Sequence, residues 1–83
     1  QQGGEEVSVY PTATNDFLFV EWQNKPEKAS EMTIFNLLGQ PVSSVLTLQE
    51  STNRVSVGNL QKGIYILRIS SEKGMFTHKF RVE

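Results

Sequence analysis

The chain has 83 residues, no cysteine, and a net charge of −1 from 8 basic and 9 acidic side chains. This length supports one domain, close to the lower limit of what a single apolar core can stabilise, and without cysteine neither disulfides nor thiolate metal sites reinforce it. The basic residues are few and scattered, which excludes a nucleic-acid footprint, and no run approaches the roughly 20 apolar residues that cross a bilayer.

Hydrophobic periodicity along the chain is two rather than 3.6, the signature of strands with one buried face. Gln1 to Glu6 is polar and glycine-containing and reads as a linker, with the domain spanning 7–83. The linker and the lack of a signal peptide imply a piece of a larger protein. Val7 and Val9 alternate with Ser8 until Pro11 ends the run. Leu18, Val20 and Trp22 then share one face, with Phe17, Phe19 and Glu21 on the other. A polar, proline-containing connection follows from Asn24 to Lys28, and its one helical candidate, Glu27 to Glu31, is too short to stand alone. Met32 and Ile34 alternate with Thr33 and Phe35, and Asn36-Leu37-Leu38-Gly39 reads as a turn whose glycine takes positive φ.

Val42, Ser44, Leu46 and Leu48 predict a fourth strand, and Val55 and Val57 a short fifth, closed by Gly58-Asn59. Tyr65, Leu67 and Ile69 line one face of a sixth, with Arg68 outward, while Phe76, His78, Phe80 and Val82 line one face of a seventh. Ser70 to Gly74 is the hairpin link between these two. The pattern predicts an all-β fold, an immunoglobulin-like antiparallel β-sandwich of about seven strands. Ser43 to Thr47 is the least charged strand segment and the expected open edge, where a receptor could add a strand or a second copy could pair edge to edge; exchange of a terminal strand is the other route to a homodimer.

Catalysis needs a base beside a nucleophile or a second acid, and this chain has a single histidine, His78, and a single aspartate, Asp16. His78 sits in register with Phe76, Phe80 and Val82, which places it at the sheet rim or in the core. Zinc-ligand spacing and the alternating Asp/Asn run of a calcium loop are both missing, and Gly3-Gly4 lies away from any strand–helix junction that could cradle phosphate. The sequence therefore predicts no enzyme, metal or cofactor. Trp22 could stack on a sugar ring, but it shares a face with Leu18 and Val20 and reads more readily as core. Phe17, Phe19 and Phe35, on the opposite faces, either pack under loops or form an apolar patch for a partner.

Three segments, in order, carry a family resemblance. Met32-Thr33-Ile34-Phe35-Asn36-Leu37-Leu38-Gly39-Gln40-Pro41-Val42 forms strand, turn glycine and next strand. Val55 to Ile69 contains Leu60-Gln61-Lys62-Gly63-Ile64-Tyr65, and Lys79-Phe80-Arg81-Val82-Glu83 is a basic–apolar strand at the chain end. Together they resemble the type A C-terminal sorting domain of the type IX secretion system of Bacteroidetes. That family typically opens with a Tyr-Pro-Asn-Pro motif, of which only Tyr10-Pro11 remains before Thr12-Ala13.

The resemblance implies a signal that directs an attached cargo from the periplasm through an outer-membrane translocon to the cell surface. There a cysteine-protease sortase removes most such domains and joins the cargo to anionic lipopolysaccharide. The implied partners are the translocon and the sortase machinery, with no nucleic acid and no direct insertion into the membrane. Recognition is expected at Gly63, Tyr65, Lys79, Phe80, Arg81, Val82 and Glu83. The alternative function is an immunoglobulin-like adhesion or carbohydrate-binding module, which would expose a row of aromatics and need not end at its last strand.

Overall fold

A computed structural model describes residues 7–43 and 46–83. The proposed linker, Gln1 to Glu6, and Ser44 of the expected fourth strand lie outside the described residues. The strands are β1 (Val7–Tyr10), β2 (Ala13–Thr14), β3 (Phe17–Trp22), β4 (Ser30–Asn36), β5 (Leu46–Leu48), β6 (Thr52–Ser56), β7 (Gly63–Ser71) and β8 (Gly74–Val82). They form a three-stranded sheet, β1-β3-β6, and a five-stranded sheet, β2-β8-β7-β4-β5. Among the described residues there is no helix.

The period-two alternation becomes the two faces of each sheet. Leu18, Val20 and Trp22 on β3 and Val55 on β6 meet Met32, Ile34, Leu67, Ile69 and Phe80 from the larger sheet, and all are buried. Trp22 packs edge-on against Phe76 with ring centroids 5.8 Å apart, so it belongs to the core and is not a sugar platform. The outward aromatics are each covered by a neighbour. The Arg54 guanidinium lies 4.5 Å from the Phe17 ring centroid, and Arg68 lies 4.5 Å from that of Phe35. Tyr10 stacks on Phe19 at 5.7 Å. Cation–π and stacking contacts of this kind offset part of the cost of leaving such rings near solvent.

Three features differ from the sequence reading. There are eight strands rather than seven, because Ala13–Thr14 pairs with Arg81–Val82 in parallel, so one pairing of the larger sheet departs from the antiparallel pattern. Two residues carry no readable alternation, and β2 exists only through this tertiary pairing.

Among the described residues the fourth expected strand covers Leu46–Leu48, and Val42 lies outside it. At the Phe35–Pro41 bridge proline offers no donor to the ladder; the Val42 amide donates to the Ile34 carbonyl at 2.8 Å and the Ile34 amide donates to the Ser43 hydroxyl at 3.2 Å. The β5 segment is nonetheless an edge strand, as expected of this region. Between β7 and β8 the ladder continues to Ser71 opposite Gly74, which leaves Glu72 and Lys73 as the turn.

That turn also ties down the β3–β4 connection. A Glu72 carboxylate oxygen accepts from the amides of Glu27 (2.6 Å) and Lys28 (3.3 Å), and Lys73 Nζ donates to the Asn24 carbonyl at 2.6 Å. At the other end of the molecule, Asn36 Oδ1 accepts from the amides of Leu38 and Gln40 at 2.9 and 3.0 Å, and Gly39 turns the chain at φ +84°. This is the glycine role the sequence predicts.

Candidate functional site

The residues expected to carry recognition converge at one end of the five-stranded sheet. Gly63 opens β7 opposite Val82, Ile64 lies opposite Arg81, Tyr65 opposite Phe80, and Ile66 opposite Lys79. The β2 strand flanks them: the Arg81 amide donates to the Thr12 carbonyl and the Glu83 amide to the Thr14 carbonyl, both at 2.9 Å.

Within this cluster the pleat separates two groups. Tyr65, Phe80 and Val82 point between the sheets and are 8%, 2% and 4% exposed. The Tyr65 and Phe80 rings stack at 5.7 Å with an interplanar angle of 25°. The Tyr65 hydroxyl donates to the Gln61 carbonyl at 2.6 Å. A tyrosine near the start of a strand, bonded back to the chain a few residues upstream, is the tyrosine corner that recurs in β-sandwiches.

Gly63, at φ +156°, lies inside that loop, and a Cβ there would approach the Tyr65 ring to 3.9 Å. The segment Leu60-Gln61-Lys62-Gly63-Ile64-Tyr65 is therefore a structural corner. Its glycine accepts a backbone conformation that other residues rarely adopt, and its tyrosine locks the turn to the core.

Lys79, Arg81 and Glu83 form the second group, and all three face solvent. Arg81 Nη2 pairs with Glu83 Oε2 at 2.9 Å, with both side chains more than half exposed. Such a pair contributes little to stability, so these charges are available to a partner. Beside them, Thr12, Ala13, Ile64, Lys79 and Arg81 border an open groove of about 350 Å³.

The sequence reading did not single out Ile64, which is 40% exposed, or the turn residues Leu37 and Leu38, at 62% and 84%. The signal for Ile64 was present, since it falls out of phase with Tyr65, Leu67 and Ile69. Leu37 and Leu38 sit in a turn, where alternation gives no guidance.

His78 lies on the inner face of β8, half-buried opposite Leu67, and its Nε2 is buried without a hydrogen-bond partner among the described residues. Desolvation by burial lowers its pKa from the ordinary value of 6.5. This is the rim-or-core position expected of it. Among the described residues no group of three or more His, Cys, Asp or Glu is placed to hold a metal ion.

Comparison with protein families matches residues 8–83 to the secretion system C-terminal sorting domain. The chain belongs to this family. Comparison with curated proteins gives no match. As a member of the type IX sorting-domain family, the chain is a secretion signal, and its family is not one of enzymes. The match spans β2, the tyrosine corner and the outward charges of β8 alike, so the exposed face and the buried scaffold beneath it are parts of one sorting domain.

Proposed function

We propose that this sorting domain routes an attached cargo across the periplasm and through the outer-membrane translocon to the cell surface, and that the machinery reads the outward face of β8. The observation that carries this reading is the division within one strand. Phe80 and Val82 anchor β8 in the core, and Lys79, Arg81 and Glu83 stand on its solvent face beside β2 and Ile64. A rigid strand presenting alternate charges lets a receptor read a fixed spacing without first ordering a loop. Tyr65 and Gly63 act beneath this face, by holding the start of β7 against it. Removal by a surface sortase, with transfer of the cargo to lipopolysaccharide, is the step this reading places after translocation.

The test is Lys79→Ala combined with Arg81→Ala in a cargo fusion expressed in a host with a type IX secretion system. Both side chains are exposed, so the variant keeps its fold, with stability within about 1 kcal/mol of the parent. The expected result is a folded domain retained in the periplasm and reduced surface delivery. Normal delivery of the double variant would place recognition elsewhere on the sandwich.

A further inference from the structure

The β8 strand runs from Gly74 to Val82 and pairs with β7 along its whole length, but on its other side it meets β2 only at Arg81 and Val82. The amides of Arg81 and Glu83 point toward β2. By the alternation of an antiparallel ladder, the amides and carbonyls of Met75, Thr77 and Lys79 point the same way. Among the described residues they meet no partner there. The edge is open because the chain changes sheets: β2 follows β8, whereas β1 pairs with β3 in the opposite sheet.

Where β1 and β8 diverge, a cleft of about 240 Å³ opens, bordered by Val7, Val9, Leu67, Phe76 and His78. Natural sheets blunt open edges with charge, proline or a bulge. Here Lys79 is the only charge on the outward side of the open stretch, and Met75 is 61% exposed.

We propose that this edge is a strand-addition groove for an extended peptide segment of a partner protein, which continues the line of β2 along Met75 to Lys79. Main-chain hydrogen bonds to Met75, Thr77 and Lys79 supply the affinity, and alternate side chains supply the selection. On one side, the added strand turns its side chains into the cleft against Val7, Val9 and Phe76, where small apolar residues fit. Opposite His78, which borders the cleft half-buried, a threonine or serine fits as a small polar neighbour. On the other side, the strand lies beside Lys79, which favours a carboxylate as cross-strand neighbour. The occupant is thus an extended segment alternating apolar or hydroxyl residues with acidic ones. A second copy of this domain fits less well, because pairing two β8 edges sets Lys79 residues of like charge on one face.

The groove follows from the fold and not from the sorting role, and it is tested without the secretion machinery. The probe is the peptide acetyl-Glu-Val-Glu-Thr-Glu-Val-Glu-amide, titrated to millimolar concentration against the isotope-labelled 83-residue chain and followed by amide NMR. The expected result is shifts and slowed exchange at Met75, Thr77 and Lys79. A peptide of the same composition with its apolar residues adjacent should give none.

Thr77→Pro removes one edge donor that is not used within the sheet and should weaken binding by about tenfold or more. Thr77→Ala should bind like the parent. Should the proline variant not fold, Lys79→Glu serves in its place: it should lose the acidic peptide and bind the counterpart with lysine at each glutamate. Shifts that are absent at millimolar peptide, or that map to the β5 edge, would overturn the proposal. So would an edge already occupied by a second copy, seen as a dimer that Thr77→Pro makes monomeric.

Discussion

Replacing Tyr65 by phenylalanine separates the scaffold from the proposed recognition face. The change deletes one hydroxyl that donates to the Gln61 carbonyl at 2.6 Å and leaves the ring in place against Phe80. A net intramolecular hydrogen bond contributes about 0.5–1.5 kcal/mol. Gln61 is exposed, so water can replace the lost donor at its carbonyl, and a value of about 1 kcal/mol is expected rather than the larger penalty of an orphaned buried group.

A domain of this length has a total stability of roughly 4–12 kcal/mol, and about 1 kcal/mol lowers its melting temperature by about 4–8 °C. Urea and thermal unfolding of the parent and Tyr65→Phe chains measure this directly, and the urea m-value should not change. Because the hydroxyl points into the Leu60–Gly63 turn and away from the β8 charges, a reporter carrying the variant should still be delivered. Unchanged stability would refute the corner. A normally stable variant that fails in delivery would show that the hydroxyl is read directly.

The remaining predictions concern packing and charge. Leu67, fully buried between Ile34 and His78, should cost about 2–5 kcal/mol as alanine; Arg68→Ala should cost about 0.5–1 kcal/mol for its lost contact over Phe35, and equal costs in urea melts would overturn the register of β7. Ser30 is 1% exposed and its hydroxyl has no partner among the described residues, so Ser30→Ala should be neutral or stabilising by up to about 1 kcal/mol, and a loss above that would reveal a bond to the hydroxyl. His78 has a folded-state pKa below 6.5, so the unfolded chain binds the proton first and stability falls as pH drops from about 6.5 toward the folded value. His78→Phe should flatten the urea midpoint across that window, and an unchanged slope would remove His78 as its source.

Much of the fold was legible because alternation over long strands is a strong signal. Tyr65, Leu67 and Ile69 on β7 and Phe76, His78, Phe80 and Val82 on β8 turn inward as the sequence predicts, since a one-residue slip would expose every one of them. The Asn36–Gly39 turn was legible for a different reason, namely an asparagine that bonds its own loop and a glycine at positive φ.

What escaped was set by tertiary contact. Ala13–Thr14 has no pattern of its own, and Val42, which shares the alternation of Leu46 and Leu48, lies outside β5, next to the Pro41 bridge and the Ser43 hydroxyl bonded to the Ile34 amide. At the candidate site, the outward charges Lys79, Arg81 and Glu83 could be read from the pleat. The structural role of Gly63 and Tyr65 required the hydroxyl-to-carbonyl bond to be located. The unpaired edge of β8 was likewise invisible, because only the sheet order reveals that β1 and β2 part company.

If this domain alone carries the address, a cargo foreign to the system should follow it out of the cell. The most direct measurement fuses residues 7–83 to a folded, signal-peptide-bearing periplasmic reporter in a host with a type IX secretion system and asks, by protease accessibility on intact cells, where the reporter lies. Reporter is expected on the cell surface, and back in the periplasm when a translocon component is deleted. Reporter that stays in the periplasm beside a domain shown to be folded would contradict it.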